Sequence, residues 1–335
     1  MAAISSKIVS VSRKVDSKAF GIEADLYTVQ APVADVPTRT FTQSSLLQGH
    51  DSRCAYRFSP DGKRIVHGCA TKLRAERYDG KKWHTTRLPG MKASLVRLSS
   101  NGERMISFHV EENRCTMTLW NTETRLKLYH DIQAPMGDNS FFQVSPDCLK
   151  VFMSSSCTLA GVLDIAKGRL VGSDGINGRM SCAAFSSDGE KIVSVRSDDG
   201  EVIVWDTNTA TISGSYKDAD GCVDSVAISP DGKHIVLGFT NGGISLMEAQ
   251  TGMVSGYFSG HKDVVQSLAF SPDGKWMASA SSDMTVRVWN VETRDLFCPP
   301  LTGHLGAVVL VFFSPDGRRI LSHGDDETIR VWTLQ

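Results

Sequence analysis

The stretch Val265-Gln266-Ser267-Leu268-Ala269-Phe270-Ser271-Pro272-Asp273-Gly274-Lys275-Trp276-Met277-Ala278-Ser279-Ala280 reads as two short strands joined by a tight turn. Proline presets φ, aspartate bonds its own backbone and glycine accepts a positive φ, so Ser-Pro-Asp-Gly reverses the chain. A third strand follows in Thr285-Val286-Arg287-Val288-Trp289, where polar and apolar residues alternate with period two. A weaker fourth is expected near Leu296–Pro300.

The same unit recurs along the chain. A turn of the form Ser-x-Asp/Asn-Gly starts at Ser59, Ser99, Ser186, Ser229, Ser271 and Ser314, with a degenerate copy at Ser145 in which Cys148 replaces glycine. Including that copy, the spacings are 40, 46, 41, 43, 42 and 43 residues. A bulky marker downstream of each turn falls at Tyr78, Trp120, Leu163, Trp205, Met247, Trp289 and Trp332, spaced by 42 or 43 residues. Two independent markers that keep one period seven times define a repeat architecture.

These residues resemble the WD-repeat family, best in Gly260-His261 through Trp289-Asn290 and Gly303-His304 through Trp332, with Gly49-His50 opening the first copy. In the third and fifth copies Leu163-Asp164 and Met247-Glu248 replace Trp-Asp, so those units rest on the period alone. The wording Pro300-Leu301-Thr302-Gly303-His304 is similar to fungal signalling-type arrays of the family. The resemblance implies an all-β fold, a seven-bladed β-propeller of four-stranded antiparallel blades around a central channel. The last copy stops three residues after Trp332, so another segment must supply its outer strand. Thr38–Leu47 leads into Gly49-His50 much as Pro299–Leu301 leads into Gly303-His304, and is expected to fill that slot and close the ring. Residues 1–37 then form an N-terminal arm or an extra strand, and 38–335 the propeller.

Two sets imitate a serine hydrolase: His261, Ser279 and Asp283, and His304, Ser322 and Asp326. They recur at matching offsets from Trp289 and Trp332, whereas an active site occurs once, and no G-x-S-x-G elbow accompanies them. The resemblance implies that each His, Ser, Asp and Trp forms a buried structural hydrogen-bond chain. No catalytic residue, metal site or cofactor is indicated: the eight cysteines form no C-x-x-C pair, and the glycine pairs follow turns rather than open helices. Asp198-Asp199 and Asp325-Asp326 read as turns rather than a calcium loop.

The formal net charge of −1 argues against a chain that coats nucleic acid over its whole surface. Charge is nonetheless uneven. Residues 61–92 hold nine basic residues against three acidic ones, and residues 198–231 hold eight acidic against one basic. The expected function is a non-enzymatic scaffold or adaptor for one or more proteins. Its contact candidates come from the loops at one end of the blades: Arg53, Arg74, His109, Arg114, Arg196, Phe239, Lys262 and His323. The second copy takes 21 residues from Ser99 to Trp120, against 18 or 19 elsewhere, and the surplus near His109–Arg114 reads as a longer loop. The alternative is nucleic-acid or phospho-ligand binding by Arg74, Arg77, Lys81 and Lys82. With neither an 18-residue apolar span nor a leader-like apolar run at the start, the expected location is cytoplasmic, with the nucleus as a second site.

Overall fold

The computed structural model describes residues 41–48, 55–58, 65–69, 74–78 and 83–87 and, with short breaks, 95–334. These residues form antiparallel strands in seven sheets. After β1 (Phe41–Gln48), the first sheet holds β2 (Ala55–Phe58), β3 (Ile65–Cys69), β4 (Arg74–Tyr78) and β5 (Trp83–Arg87). The second holds β6 (Leu95–Leu98), β7 (Arg104–Glu111), β8 (Arg114–Asn121) and β9 (Ile132–Pro135). The third holds β10 (Phe141–Val144), β11 (Lys150–Ser154), β12 (Gly161–Asp164) and β13 (Arg169–Val171). The fourth holds β14 (Met180–Phe185), β15 (Lys191–Arg196), β16 (Glu201–Asp206) and β17 (Ile212–Lys217). The fifth holds β18 (Val223–Ile228), β19 (His234–Phe239), β20 (Ile244–Glu248) and β21 (Val254–Phe258).

The sixth sheet has three strands, β22 (Val265–Phe270), β23 (Trp276–Ser281) and β24 (Val286–Asn290). Its expected fourth strand is reduced to two isolated bridges, Trp289 to Leu296 and Val286 to Leu301. Pro299 and Pro300 lie between those bridges and have no N–H, so a continuous ladder cannot form there. The seventh sheet holds β25 (Val308–Phe313), β26 (Arg319–Gly324) and β27 (Thr328–Leu334), and β1 pairs antiparallel with β27 from Phe41–Leu334 to Gln48–Thr328.

The turn between the first two strands of each unit explains its own sequence. In six units the serine is at most 3% exposed. Its hydroxyl donates to the Asp or Asn two residues on at 2.5–2.7 Å, and accepts the backbone N–H five residues on at 2.8–3.0 Å. The glycine that follows has φ between 68° and 73° at Gly102, Gly189, Gly232, Gly274 and Gly317. Cys148 takes φ 61° at the corresponding position, a left-handed conformation that a side chain makes costly. Its side chain is fully buried, so the strain is offset by packing.

Strand alternation sends side chains to both faces of a sheet, and in the fourth sheet both faces are covered. Val202 and Val204 of β16 pack with Val223, Ile235 and Met247 of the fifth sheet. Ile203 and Trp205 of the same strand pack with Phe152 and Val162 of the third. Similar clusters join the second sheet to the third, the fifth to the sixth and the sixth to the seventh. First strands are neighbours as well: β2 lies beside β6, and β10, β14, β18, β22 and β25 each lie beside the next. The first strands of sheets two to seven wall one cavity of about 490 Å³.

Candidate functional site

The two hydrolase-like sets come together in space. His261 reaches Asp283 through Nδ1 at 2.8 Å and Ser279 through Nε2 at 2.7 Å, and the Trp289 indole N–H donates to Ser279 Oγ at 2.9 Å. In the seventh sheet, His304 lies 3.1 Å from Asp326 and 2.8 Å from Ser322, and Trp332 donates to Ser322 Oγ at 2.9 Å. The chain is consistent if Nδ1 carries the imidazole proton to the carboxylate and the serine hydroxyl donates to Nε2. These are the links of a catalytic triad, but Ser279 and Ser322 are 0% exposed and each hydroxyl is capped by an indole. Neither serine has a surface from which to attack a substrate.

Electrostatics agree with a closed structural unit. Burial pushes the His261 and His304 pKa values below the ordinary imidazole value, although Asp283 and Asp326 pull them upward. Burial alone would raise the Asp326 pKa, but hydrogen bonds from the Leu305 N–H, Thr328 and His304 together bring it down to about 2. Asp283 is lowered in the same way, mainly by Thr285 and His261 acting against burial. Each unit is therefore a neutral imidazole held on a stable carboxylate.

The carboxylates also hold the entering loops. Asp283 accepts the Lys262 N–H at 3.1 Å, and Asp326 accepts the Leu305 N–H at 2.8 Å. Both residues point outward, Lys262 exposed and Leu305 86% exposed. Leu305 escaped the sequence reading; the available signal was its position immediately after Gly-His, the same position that Lys262 occupies one copy earlier.

The other contact candidates separate. Arg53, Lys81 and Lys82 lie outside the described residues. Arg74 and Arg77 stand in β4, paired with Arg87 and His84 of β5. His109 pairs with Thr116, and Arg114 with Glu111. The surplus residues of the second copy therefore do not form a longer loop: they extend β7 and β8 to eight residues each. Arg196 is held in ion pairs by Asp199 and Glu201, which narrows its freedom to meet a partner. Phe239 is partly buried against the core between the fourth and fifth sheets. His323, at 3% exposed, offers no contact surface. Among the described residues no group of carboxylate, histidine and cysteine side chains has the geometry of a metal site, and no helix is long and apolar enough to cross a membrane.

Comparison with known proteins bears on the repeat. Residues 252–290 and 297–333 match the family model described as WD domain, G-beta repeat, and residues 177–264 match the one described as Anaphase-promoting complex subunit 4 WD40 domain. A mouse relative, U3 small nucleolar RNA-associated protein 18 homolog, is 33% identical over 106 residues, 31% of this chain and 19% of the relative. The human protein of the same name is 32% identical over the same shares. The chain thus aligns with about a fifth of the length of these curated relatives. Nothing in these descriptions supports the signalling or cytoplasmic expectations. With the matched models falling on the units whose turns and hydrogen-bond sets are described above, the chain is a WD-repeat protein.

Proposed function

We propose that this chain is a non-enzymatic platform that binds protein partners through the loops entering its first strands. The observation that carries this reading is the half-buried Asp, in the turn between the second and third strands, that holds the entering loop of the sixth and of the seventh sheet. Asp283 and Asp326 fix the backbone of Lys262 and Leu305, so an exposed cation and an exposed aliphatic side chain are displayed in set positions. Preorganised display lowers the ordering cost of association. Lys262 and Leu305 are the leading contacts, with the end of the β7–β8 hairpin, His109 and Arg114, as a further element.

The architecture we infer is a seven-bladed ring over residues 38–335, with residues 1–37 as an arm and β1 as the closing outer strand. The β1–β27 ladder and the cavity shared by six sheets support it. Deletion of residues 36–48 is expected to lower the melting temperature sharply; an unchanged value would overturn the closure.

We further infer that the partners sit in an RNA–protein assembly of the nucleus, on the strength of the relatives' name, small nucleolar RNA-associated. Direct RNA contact through Arg74, Arg77, Lys81 and Lys82 is the second reading, supported by the basic balance of residues 61–92. Affinity purification from native cells, with and without nuclease, separates them. Protein partners that survive nuclease and are lost on Leu305→Asp support the platform; partners that all vanish with nuclease overturn it in favour of RNA binding.

A further inference from the structure

The turns between second and third strands hold a residue whose presence the fold does not explain. In the fifth, sixth and seventh sheets the turn closes the same way: the N–H of Gly242, Met284 and Glu327 donates to the carbonyl of Phe239, Ser281 and Gly324, each at 3.1 Å. All three closing residues have a positive φ, 86°, 68° and 57°. Glycine takes that conformation freely, whereas a side chain makes it costly. Met284 bears this cost with its side chain 46% exposed, so packing does not offset it. A strained backbone that carries an exposed apolar group points to a use outside the fold.

The neighbouring unit shows what stands beside Met284. A Cβ on Gly242 would lie 2.7 Å from the His261 carbonyl oxygen, so the turn of the fifth sheet rests against the entering loop of the sixth. β23 lies beside β25 as β19 lies beside β22. The repeat therefore sets Met284 beside the entering loop of the seventh sheet, where Leu305 is the most exposed of the large apolar residues described. Charge around this apolar pair is one-sided. The loops 259–264 and 302–307 and the turns 282–285 and 325–327 hold five carboxylates and a single cation, Lys262. Asp263, Asp325 and Glu327 are exposed, while Asp283 and Asp326 lie half-buried beneath them. Such a surface repels a phosphate backbone and attracts a cationic partner.

We propose that Met284 and Leu305 form the apolar centre of the docking surface and that its occupant is a basic segment of a partner protein, which rests on the platform reading and adds the partner's chemistry to it. An aliphatic or aromatic side chain of that segment sits against the pair, where the unbranched thioether adapts to its shape. Its lysines or arginines meet Asp263, Asp325 and Glu327. The test uses the full chain in its native cells, with the photoreactive residue benzoylphenylalanine in place of Leu305 or, separately, of Met284. Sequencing of the cross-linked segment is expected to show a stretch of protein in which lysine and arginine outnumber acids around an apolar residue. Made as a peptide, that segment is expected to bind Asp325→Lys/Glu327→Lys about tenfold more weakly than the native chain, and the native chain less tightly as salt rises. Met284→Gly is expected to weaken binding about fivefold while the melting temperature stays level or rises, because glycine relieves the left-handed φ. Lys233→Ala, in the turn at the other end of β19, is expected to leave binding unchanged. A neutral or acidic cross-linked segment, or binding that survives the charge reversal, overturns the basic occupant and leaves the platform reading standing. A lower melting temperature or unaltered binding in Met284→Gly makes the methionine a packing residue and overturns its part. Cross-links to RNA, or to nothing at either position, overturn the occupant and the platform together.

Discussion

The sixth and fifth sheets solve one packing problem in different ways. Eight residues after the turn serine, the sixth sheet has Ser279, and its bulky marker is Trp289, joined by a hydrogen bond and extended to His261 and Asp283. At the same two positions the fifth sheet has Leu237 and Met247, both 0% exposed. The second and fourth sheets stand between them: Trp120 donates to Ser107 at 2.9 Å and Trp205 to Ser194 at 2.8 Å, with no histidine in the chain among the described residues. The core accepts an apolar pair or a satisfied polar pair, because what it needs is filled volume and no unpaired donor. Of the polar pairs described, the complete sets of the sixth and seventh sheets also hold an entering loop, through Asp283 and Asp326. Their distinctive contribution is therefore placement of Lys262 and Leu305 more than cohesion of the strands.

The comparison breaks most readily at the carboxylates. Asp326→Ala removes the acceptor of the Leu305 N–H, Thr328 and His304 together, and is expected to lower stability by about 3 kcal/mol in denaturant melts. A loss no larger than that of an exposed-site substitution would mean that the set is ornamental. Next, Ser279→Ala strands both the indole N–H and His261 Nε2, whereas Ser194→Ala strands the Trp205 indole alone. Losses of about 2 and about 1 kcal/mol respectively are expected. Equal losses would show that the histidine link adds nothing.

Acid sharpens the same contrast. His261 and His304 have folded pKa values below 6.5, so the unfolded chain takes up protons first and stability falls as pH drops below 6.5. Asp326 has a folded pKa of about 2 against 3.8, so its contribution is present above 3.8 and is lost as pH falls toward 2. Melting temperature followed against pH is expected to show the upper decline in the native chain and a shallower one in His261→Gln/His304→Gln. An identical profile in that double variant would remove the histidines from the account.

The smallest effect is expected at Cys148. Replacing it with glycine relieves the left-handed φ of 61° but removes a buried thiol side chain, and the two opposing terms should leave stability within about 1 kcal/mol of the native value. A loss of several kcal/mol would show that packing in the third sheet, not turn geometry, sets the residue there.

Much of this architecture was legible because its causes are local. A serine, an acid or amide and a glycine at fixed spacing make the same turn wherever they occur, and two-residue alternation sets which strand residues face which neighbour. The four-residue sets were legible because they recur with the period. The surplus in the second copy was misread, since a count between two markers does not distinguish a longer loop from longer strands: the ladder from Arg104–Asn121 to Glu111–Arg114 shows where the residues went. His323 was misplaced because the loop end of a strand is not always exposed. Its fate depends on what packs above it.

By itself, then, the sequence determined the repeat, the turn chemistry and the residues of the buried sets, all of which arise from contacts within one unit. Tertiary structure alone decided that Leu305 stands exposed while His323 is buried, and that the outer edge of the sixth sheet is broken. Exposure depends on groups that come from different units, dozens of residues apart in the chain, and no local pattern encodes it.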